Sequence, residues 1–454
     1  MTDTIQPRKT PAKATIASWV GTTLEYYDFA VYATASALVF NQIFFPPELS
    51  EGVRLMLSLA TLGVGYLVRP LGAFILGPLG DRYGRKFVMM LTLFGIGGCT
   101  FLIGCLPTFA QVGALAPILL VVIRMIQGLS LSGEQAAAIT MTLEHSPERR
   151  RSFTTSFVTS GSAAGGLLST AIFIPFVAMP QEQLLSWGWR VPFWLSAVVV
   201  VVAYIIRRTL EEPPAFLEAQ AVEVQLSPLK QAMQFHWPSI LRIAACAMIA
   251  GVSYLFATFS VGFATTGYKL DRATMLWVPV LASLLALLYT PAAGWLADKI
   301  GRKTVFMIGA AGAGLSTAPY LWAITQGNWP LIFALGILCN GFFYSTANAA
   351  WPSFFAEMFP SRVRVSGLAV GTQIGFALSG AIAPVAATAL AGGTLKDWVG
   401  PSLFACALML VAVGSAFTAK ETRPYTLDEI DQVKQSEREK AAVAAATVSS
   451  PVAA

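Results

Sequence analysis

The chain has 454 residues, of which 55% are hydrophobic and only 12% are charged, and its mean hydropathy is +0.64. A soluble domain carries about twice that share of charged residues, so the composition excludes an ordinary soluble enzyme or binding module. The formal net charge is +6. As shown below, the placement of basic residues around a membrane explains this excess, and no nucleic-acid partner is needed.

Two further features narrow the class. We expect no N-terminal signal peptide, because the first apolar run begins near Ile16 and soon contains Glu25 and Asp28. The five cysteines all lie inside apolar runs and lack the spacing of metal ligands. We therefore interpret them as small packing residues and predict no metal site.

Apolar runs of 18 or more residues recur along the chain, and each is long enough to cross about 30 Å of hydrocarbon. Hydropathy and turn residues together predict twelve transmembrane helices, and hence an all-α integral membrane protein. The predicted spans are 16–44, 53–79, 87–107, 112–144, 152–179, 189–210, 238–266, 273–297, 303–325, 329–358, 365–391 and 398–419.

The basic residues predict the orientation of these spans. An even number of spans places both termini on one side of the membrane. If that side is cytoplasmic, it holds 23 of the 30 lysines and arginines, and the other side holds five. Since basic residues concentrate in cytoplasmic loops, both termini are predicted to be cytoplasmic.

A charged motif occurs twice, half a chain apart. The ten residues Gly77-Pro-Leu-Gly-Asp81-Arg82-Tyr-Gly84-Arg85-Lys86 return 217 positions later as Gly294-Trp-Leu-Ala-Asp298-Lys299-Ile-Gly301-Arg302-Lys303. Three more pairs share offsets of 209 to 213: Glu144 and Arg151 with Glu357 and Arg364, Gly161 and Gly165 with Gly371 and Gly375, and Glu212 with Glu421. The duplicated motif resembles the major facilitator superfamily of secondary transporters, which builds two halves from parallel repeats.

The duplication predicts two pseudo-symmetric six-helix bundles, at 16–210 and 238–420. A cytoplasmic N-terminus (1–15), a cytoplasmic connector (211–237) and a cytoplasmic tail (421–454) complete the predicted organisation. The tail is charged and then rich in Ala, Ser and Val, so we expect it to be disordered.

Acids and bases at the predicted cytoplasmic helix ends form a repeated set. Charge pairs between these ends can close the mouth of the bundle and open as the two halves rock. The alternative is a set of positive-inside loops with incidental acids, and repetition at fixed spacing favours the gate. The gate candidates are Asp81, Arg85, Glu144, Arg151, Asp298, Arg302, Glu357 and Arg364.

Five charged residues lie deep inside predicted spans, all in the first half: Glu25, Asp28, Arg69, Arg124 and Glu134. Each costs at least about 2.5 kcal/mol to place in the bilayer, which favours a function. At about 1.5 Å per residue, four of them could share one layer, and Arg124 is expected a helix turn or two farther out than Asp28. The second half offers only Asn340, Tyr344 and Asn348, spaced i, i+4, i+8 on one face that either lines a pocket or packs against a helix.

Several segments resemble the metabolite:H+ symporter family, whose members carry shikimate, α-ketoglutarate, citrate, proline and betaine. The matching segments are Gly21-Thr-Thr-Leu-Glu25-Tyr-Tyr-Asp28-Phe29, Arg69-Pro-Leu-Gly, Arg124-Met-Ile-Gln127-Gly128, Gly133-Glu134 and Trp187-Gly-Trp-Arg190-Val-Pro-Phe, and span 1 looks most like the shikimate-like branch. One segment departs from the family pattern. Where the family usually has Gly-Gly-Glu-Trp-Gly-Gly, this chain has Ser132-Gly133-Glu134-Gln135-Ala136-Ala137, which changes the cavity wall.

In related sugar porters the span 1 aspartate pairs with a span 4 arginine and carries the coupled proton. The resemblance therefore implies that Asp28 and Arg124 have these roles, although Asp28 could instead belong to a structural ion pair. Glu25 and Glu134 are the other proton-coupling candidates. The substrate-binding candidates are Arg124, Gln127, Arg69, Tyr27, Asn340, Tyr344 and Asn348. We expect Arg124 to be the freer arginine because it lies farthest from the acids, whereas Arg69 could brace span 2.

Together these features predict a monomeric proton-coupled symporter that imports a small polar metabolite across a bacterial inner membrane. An organic acid is the leading substrate candidate. It would need no cofactor, because a proton gradient drives it. The alternatives are a proton-coupled osmolyte carrier for proline or betaine, an uncoupled uniporter or exporter, and a membrane sensor that transports nothing. A sensor or enzyme is disfavoured because the sequence has no nucleotide-binding loop, no metal-binding cluster and no soluble catalytic domain.

Overall fold

The protein is seen in a computed structural model that describes residues 11–72, 76, 85–130, 134–144, 146–208 and 228–433. The predicted gate residue Asp81 lies outside the described residues, as do the side chains of Arg85 and Glu134. The same holds for residues 1–10, most of the predicted connector and the tail from 434 onward.

The described residues form twelve long helical segments, one for each predicted span, which confirms the predicted number. We number them α1 (11–43), α2 (Glu51–Gly72), α3 (Arg85–Gly104), α4 (Leu115–Ser130 and Glu134–Glu144), α5 (Arg151–Val177), α6 (191–208), α7 (Trp237–Gly267), α8 (Arg272–Ile300), α9 (Arg302–Thr325), α10 (Trp329–Ala356), α11 (Arg364–Leu390) and α12 (Val399–Phe417). Short helices at Phe109–Val112, Gln181–Ser186 and Pro228–Phe235 lie in the connections.

The helices have the length and surface of membrane-crossing segments. Eight helices among the described residues are long and apolar enough to cross a membrane, and Met90–Gly104 and Leu115–Ser130 are apolar but shorter. Large side chains such as Leu288, Leu315 and Leu410 are mostly exposed. An apolar exterior of this kind requires a surrounding bilayer.

Paired glycines bring two helices together within each half. A Cβ atom on Gly165 would lie 2.4 Å from the Thr23 carbonyl oxygen and 2.7 Å from the Tyr27 nitrogen, so α5 packs directly on α1. In the second half, a Cβ on Gly375 would lie 2.4 Å from the Ala244 carbonyl oxygen, so α11 packs on α7 in the same way. The predicted duplication is therefore visible in helix packing, and the small residues permit the close approach.

The two halves touch through two pseudo-symmetric helix pairs, α5 with α8 and α2 with α11. We call the end of the molecule that carries the 294–303 motif the motif end. The α5–α8 contact joins the two halves there. At the opposite end, Lys269 lies 2.7 Å from the Glu51 carboxylate, and a Cβ on Gly52 would lie 2.6 Å from the Gly393 carbonyl oxygen. The halves are therefore in contact at both ends.

Wide helical turns with i→i+5 geometry interrupt α1, α7 and α10. They lie at Ser36–Phe40, Leu255–Phe259, Phe263–Gly267 and Ile337–Tyr344. Such turns shift the helical register, so residues spaced four apart across them no longer share one face. This shift matters for α10, where the candidate face begins inside the wide turn.

The glycine contact yields a test of the fold. Gly165→Ala places a methyl group against the α1 backbone, which cannot move aside as a side chain can, and should destabilise the protein by about 1–3 kcal/mol. The adjacent Gly166→Ala is the matched control, because its Cβ would lie 3.6 Å from the nearest atom, Ser283 Oγ. Thermal unfolding of the purified variants measures the difference. Equal Tm values would contradict the close packing of α5 on α1.

Candidate functional site

A cavity lies between the two halves. It is small, and it is lined from α1, α7, α10 and α11 by Tyr26, Ala247, Ile249, Ala250, Ser253, Tyr254, Tyr344, Asn348, Trp351, Phe355 and Phe376. Among the described residues the lining combines aromatic rings with hydroxyl and amide groups and has no charged side chain. Side chains of this chemistry suit a small polar molecule with an apolar face.

The structure separates the three residues that were predicted to share one face of α10. Tyr344 and Asn348 line the cavity, but Asn340 does not, and its Oδ1 atom is buried without a hydrogen-bond partner among the described residues. The wide turn at Ile337–Tyr344 separates Asn340 from the other two. The i, i+4, i+8 spacing assumed a regular α-helix, so the prediction of one shared face was wrong at Asn340.

Tyr27 is also placed differently from its predicted position. Its hydroxyl donates to the Pro192 carbonyl oxygen at 3.0 Å, which holds α1 against α6, and it does not line the cavity. The neighbouring Tyr26 lines the cavity instead, because successive residues of a helix point about 100° apart. Ser253, Tyr254 and Trp351 were missed as well, since tyrosine, serine and tryptophan inside apolar helices carry no signal of their direction.

The deep charges of the first half form a buried polar cluster. Arg124 Nη1 donates to Gln127 Oε1, and Gln127 Nε2 donates to Thr100 Oγ1 at 2.7 Å. The Thr100 hydroxyl donates to the Ile96 carbonyl oxygen at 3.0 Å, and the Asp28 carboxyl group interacts electrostatically with Arg124. Arg124 is 0% exposed and Asp28 is 3% exposed, so the cluster is sealed inside the first half.

Both deep arginines lie over the Phe29 ring. The guanidinium carbons of Arg69 and Arg124 are 4.2 and 4.6 Å from its centroid. Arg124 also lies 4.1 Å from the Tyr32 ring centroid, and Arg69 lies 4.5 Å from that of Tyr66. Cation–π contacts of this kind offset part of the cost of burying a guanidinium.

The expectation that Arg124 is the freer arginine stays a prediction. Arg124 bonds to Gln127 and interacts electrostatically with Asp28, and among the described residues its Nε and Nη2 atoms have no hydrogen-bond partner. Arg69 is the arginine nearer to the cavity, because Tyr66, over which it lies, is 4.9 Å between ring centroids from the cavity residue Tyr254.

The structure describes the side chain of only one of the two other candidate acids, Glu25 and Glu134. Glu25 is half-buried beside Tyr26, and it interacts electrostatically with Asp28. The Glu134 side chain lies outside the described residues, but the next residue, Gln135, donates to the Tyr26 hydroxyl at 3.5 Å. The described residues contain no group of three or more His, Cys, Asp or Glu side chains that could hold a metal ion.

At the motif end, Asp298 joins the two halves through a helix terminus. Its Oδ1 accepts from the Ser152 backbone N–H at 2.9 Å, and its Oδ2 accepts from that of Phe153 at 2.8 Å. Asp298 belongs to α8, and the two donors are the first unpaired N–H groups of α5. A carboxylate here satisfies orphan donors and interacts favourably with the helix dipole.

Ion pairs surround this cap. Arg151 Nη1 of α5 lies 3.0 Å from Glu357 Oε1 of the second half, and Glu357 also binds Arg302. Arg302 lies 3.5 Å from Asp298 and donates to the Ser152 hydroxyl at 3.0 Å. The structure thus brings four gate candidates into one network that spans both halves.

The ion pair related to Arg151–Glu357 by the internal duplication is also present. Arg364 Nη1 of α11 lies 2.9 Å from Glu144 Oε1 of α4, so this pair also crosses between the halves. It repeats the Arg151–Glu357 pair with the halves exchanged, as the offset of 213 residues implies. Asp81 and the Arg85 side chain, the counterparts of Asp298 and Arg302, lie outside the described residues.

The expected disorder of the tail is wrong for residues 421–433. Glu421 accepts from the backbone N–H groups of Arg302 and Lys303 at the start of α9, and the Tyr425 carbonyl oxygen accepts from Arg151. A helical turn at 427–433 follows, and Asp431 accepts from the Ser361 backbone N–H at 2.9 Å. The charges that made this segment look disordered are instead neutralised by helix termini and arginines.

Twelve helices in two related halves, with a cavity of aromatic and polar side chains between them, are the architecture of a membrane transporter. Two family models match successive parts of the chain: "Sugar (and other) transporter" over residues 13–226 and "Major Facilitator Superfamily" over residues 243–451. The shikimate transporter of Escherichia coli (strain K12) is 34% identical over 417 residues, which cover 90% of this chain and 95% of that protein.

A protein of Staphylococcus aureus (strain COL) named "Putative proline/betaine transporter" is 32% identical over 411 residues, which cover 89% of this chain and 87% of that protein. Among solved structures, the proton:xylose symporter XylE bound to 6-bromo-6-deoxy-D-glucose superimposes with a TM-score of 0.71 at 19% identity, over 94% of this chain and 100% of that chain. The likeness to XylE shows a common fold. The chain belongs to the major facilitator superfamily, and it is a transporter rather than an enzyme.

The Asp298 cap gives a prediction about the motif end. Asp298→Asn leaves one acceptor oxygen for two N–H donors and removes the charge, which should weaken closure by about 1–2 kcal/mol. The open population at the motif end should therefore rise about 5- to 30-fold. Spin labels on the adjoining ends of α5 and α8, measured by double electron–electron resonance, report this change.

Asp271→Asn is the matched control. Hydrogen bonds from the Thr274 hydroxyl and backbone N–H hold the pKa of Asp271 below its ordinary value, so Asp271 is also a charged helix cap. It caps α8 within one segment at the opposite end, and it should leave the α5–α8 distances unchanged. A distance distribution for Asp298→Asn that matches wild type would contradict the role of Asp298 in closing the motif end.

Proposed function

We propose that this chain is a proton-coupled symporter that imports a small organic acid across a bacterial cytoplasmic membrane. The relative named a shikimate transporter supports the substrate class, and the fold shared with a proton:xylose symporter supports the coupling. The observation that carries the proposal is the buried cluster of Asp28, Thr100, Gln127 and Arg124 beside an enclosed cavity.

Asp28 is the proposed proton carrier. An ionised carboxylate at this depth is costly to move through the bilayer unless a nearby positive charge balances it. Arg124 on α4 supplies that charge while Asp28 is ionised. When Asp28 takes up a proton the carboxyl becomes neutral, and the carrier can reorient without an unpaired acid. Glu25, which interacts with Asp28, is the proposed entry point for the proton.

The cavity between the halves is the proposed substrate site. The hydroxyl groups of Tyr26, Ser253 and Tyr344 can donate to a substrate carboxylate or to ring hydroxyls. Asn348 Oδ1 is occupied by Trp351 Nε1 at 2.8 Å, so the amide hydrogens of Asn348 are the part that can reach a ligand. Arg69, behind Tyr66 and Tyr254, adds the positive potential that favours an anion.

The charge network at the motif end is the proposed gate. Its pairs join α5, α8, α10 and α11 across the two halves, so breaking them lets the halves rock apart at this end. We propose that the motif end faces the cytoplasm, because the basic residues of the chain concentrate there. The cavity is built from a single chain, so a monomer is sufficient for this cycle.

A second candidate function is an osmolyte carrier. Among the described residues the cavity lining is rich in aromatic rings and has no charged side chain, which suits a quaternary ammonium group held by cation–π contacts. The Staphylococcus aureus relative with proline and betaine in its name points the same way. This candidate shares the coupling cluster and differs only in the charge of the substrate.

The coupling proposal predicts a separation of two activities in Asp28→Asn. The neutral amide imitates the protonated carrier, which can reorient when loaded but can neither take up nor release a proton. Uphill accumulation driven by a proton gradient in proteoliposomes should be lost, while exchange of internal for external substrate should largely survive. Glu25→Gln is the comparison. If Asp28→Asn accumulates substrate and Glu25→Gln does not, the proton carrier has been assigned to the wrong acid.

A competition panel tests the substrate class. Unlabelled shikimate, succinate, proline and glycine betaine are each added in excess to proteoliposomes that take up radiolabelled shikimate or radiolabelled betaine. The carboxylates should reduce uptake at least about tenfold more effectively than the zwitterions, a difference of about 1.4 kcal/mol. Strong inhibition by betaine with no effect of either acid would replace the organic-acid assignment with the osmolyte carrier.

A further inference from the structure

At the motif end, the last turn of α12 lies between two basic side chains from neighbouring helices. Arg242 of α7 donates through Nε to the Thr418 hydroxyl at 2.9 Å. Lys303 of α9 donates through Nζ to the carbonyl oxygens of Phe417 and Ala419, at 2.7 and 2.9 Å. Two positive charges are therefore held within hydrogen-bond distance of three successive residues.

Further hydrogen bonds fix this pair of cations in place. The Thr418 hydroxyl, which accepts from Arg242, donates in turn to the Ser415 carbonyl oxygen at 2.7 Å. The Ser415 hydroxyl donates to the Arg242 carbonyl oxygen at 3.1 Å. The backbone N–H of Lys303 donates to the Glu421 carboxylate at 3.0 Å. Both basic residues are thus held through the backbone as well as through the side chain.

The positive charge of the pair is not balanced locally. Neither Arg242 nor Lys303 belongs to an ion pair within 4.0 Å in the part of the chain that the structure describes. The Glu421 carboxylate caps the start of α9, where it accepts from the backbone N–H groups of Arg302 and Lys303. Each helix end carries about half a charge, so about one positive charge remains uncompensated when Glu421 and both helix ends are counted.

The surface beside the pair faces the hydrocarbon of the membrane. Leu403, Leu410 and Phe417 are spaced seven residues apart on one face of α12, and all three are mostly exposed. Trp237 and Leu241, one turn apart at the start of α7, are mostly exposed as well. Because tryptophan at a helix end marks the headgroup level of a bilayer, the pair lies where acyl chains meet phosphate groups.

We propose that the motif end of α12, between α7 and α9, is a binding site for an anionic phospholipid. The bond to Thr418 uses Arg242 Nε, so the two Nη groups can bind phosphate oxygens as a fork. Lys303 has three ammonium hydrogens, and its two carbonyl bonds leave one for the same phosphate. The acyl chains lie along Leu410 and Phe417. This inference goes beyond the proposed function, because it requires only that α12 crosses a bilayer.

The alternative is that the two cations serve only to cap α12, since a positive charge stabilises a helix C-terminus. Lys396, at the opposite end of the molecule, has such a capping role. Its Nζ donates to the Gly267 carbonyl oxygen at the end of α7 at 2.7 Å, and it lies 4.3 Å from the Tyr268 ring centroid. An acid, Asp397, follows it directly in the sequence. Lys396→Gln is therefore the matched control, because it removes a lysine cap that has a carboxylate nearby.

The experiment measures lipid binding to the purified full chain in a neutral detergent by native mass spectrometry. Phosphatidylglycerol and phosphatidylcholine with identical acyl chains are titrated separately. Wild type should bind phosphatidylglycerol about tenfold more tightly than phosphatidylcholine, whose ammonium group offsets its phosphate. Arg242→Gln and Lys303→Gln should each raise the Kd for phosphatidylglycerol about fivefold, as expected for one basic side chain at a membrane surface. Arg242→Lys should lose less, and Lys396→Gln should bind as wild type does.

Equal affinity of wild type for the two lipids would overturn the site, and so would an equal loss of binding in Lys396→Gln. Inorganic phosphate is added as a competitor at the concentration of the lipid. If it displaces phosphatidylglycerol, the pair binds free anions and the assignment to a lipid is wrong. Thermal unfolding without lipid shows whether each variant is folded. If Lys303→Gln is unfolded because its carbonyl bonds are lost, Arg242→Gln, which loses only a bond to a hydroxyl, decides the question.

Discussion

The burial of positive charge constrains this molecule more than any other feature. Arg124, Arg151, Arg302 and Arg364 are each no more than 2% exposed, in a protein that is surrounded largely by hydrocarbon. An isolated buried ion costs several kcal/mol, so each guanidinium must lie against a carboxylate, an amide or an aromatic ring. Three of the four find a carboxylate at the motif end, and two of these pairs cross between the halves. The contacts that join the halves at that end are therefore the same contacts that neutralise the arginines.

Helix capping is used both locally and across the molecule. Asp271 caps α8 within its own segment, and Glu421 caps α9 from the C-terminal segment. Asp298 makes the same kind of contact with α5 of the other half. Water can replace a carboxylate at a helix terminus at modest cost, because the exposed N–H groups accept either partner. A cap between halves can therefore be broken without leaving a costly unpaired group.

The two halves share their packing but differ in their chemistry. The glycine contacts of α5 with α1 recur in α11 with α7, and Thr100 and Thr317 make equivalent backbone bonds. The deep charges, however, occur only in the first half among the predicted spans. The second half contributes the hydroxyl, amide and aromatic groups of α7, α10 and α11 to the cavity. The deep charges and most of the cavity lining therefore come from different halves of a duplicated scaffold.

Much of this organisation can be predicted from the sequence, because it depends on local properties. Long apolar runs predict the twelve helices, and the repeated spacing of Glu144 and Arg151 with Glu357 and Arg364 identifies residues that meet at one end. Hydrophobicity and periodic spacing are properties of the sequence itself, and the bilayer limits the structures that can satisfy them.

Only the tertiary structure decided which side chains meet inside the bundle. Tyr26 and Tyr27 are adjacent in sequence, but helix rotation directs one to the cavity and the other to Pro192. A wide turn in α10 removed Asn340 from the face of Tyr344 and Asn348, and Gln127 joined Arg124 of α4 to Thr100 of α3. Such contacts depend on the rotation, register and mutual distance of separate helices, which packing sets and which residue spacing within one helix does not encode.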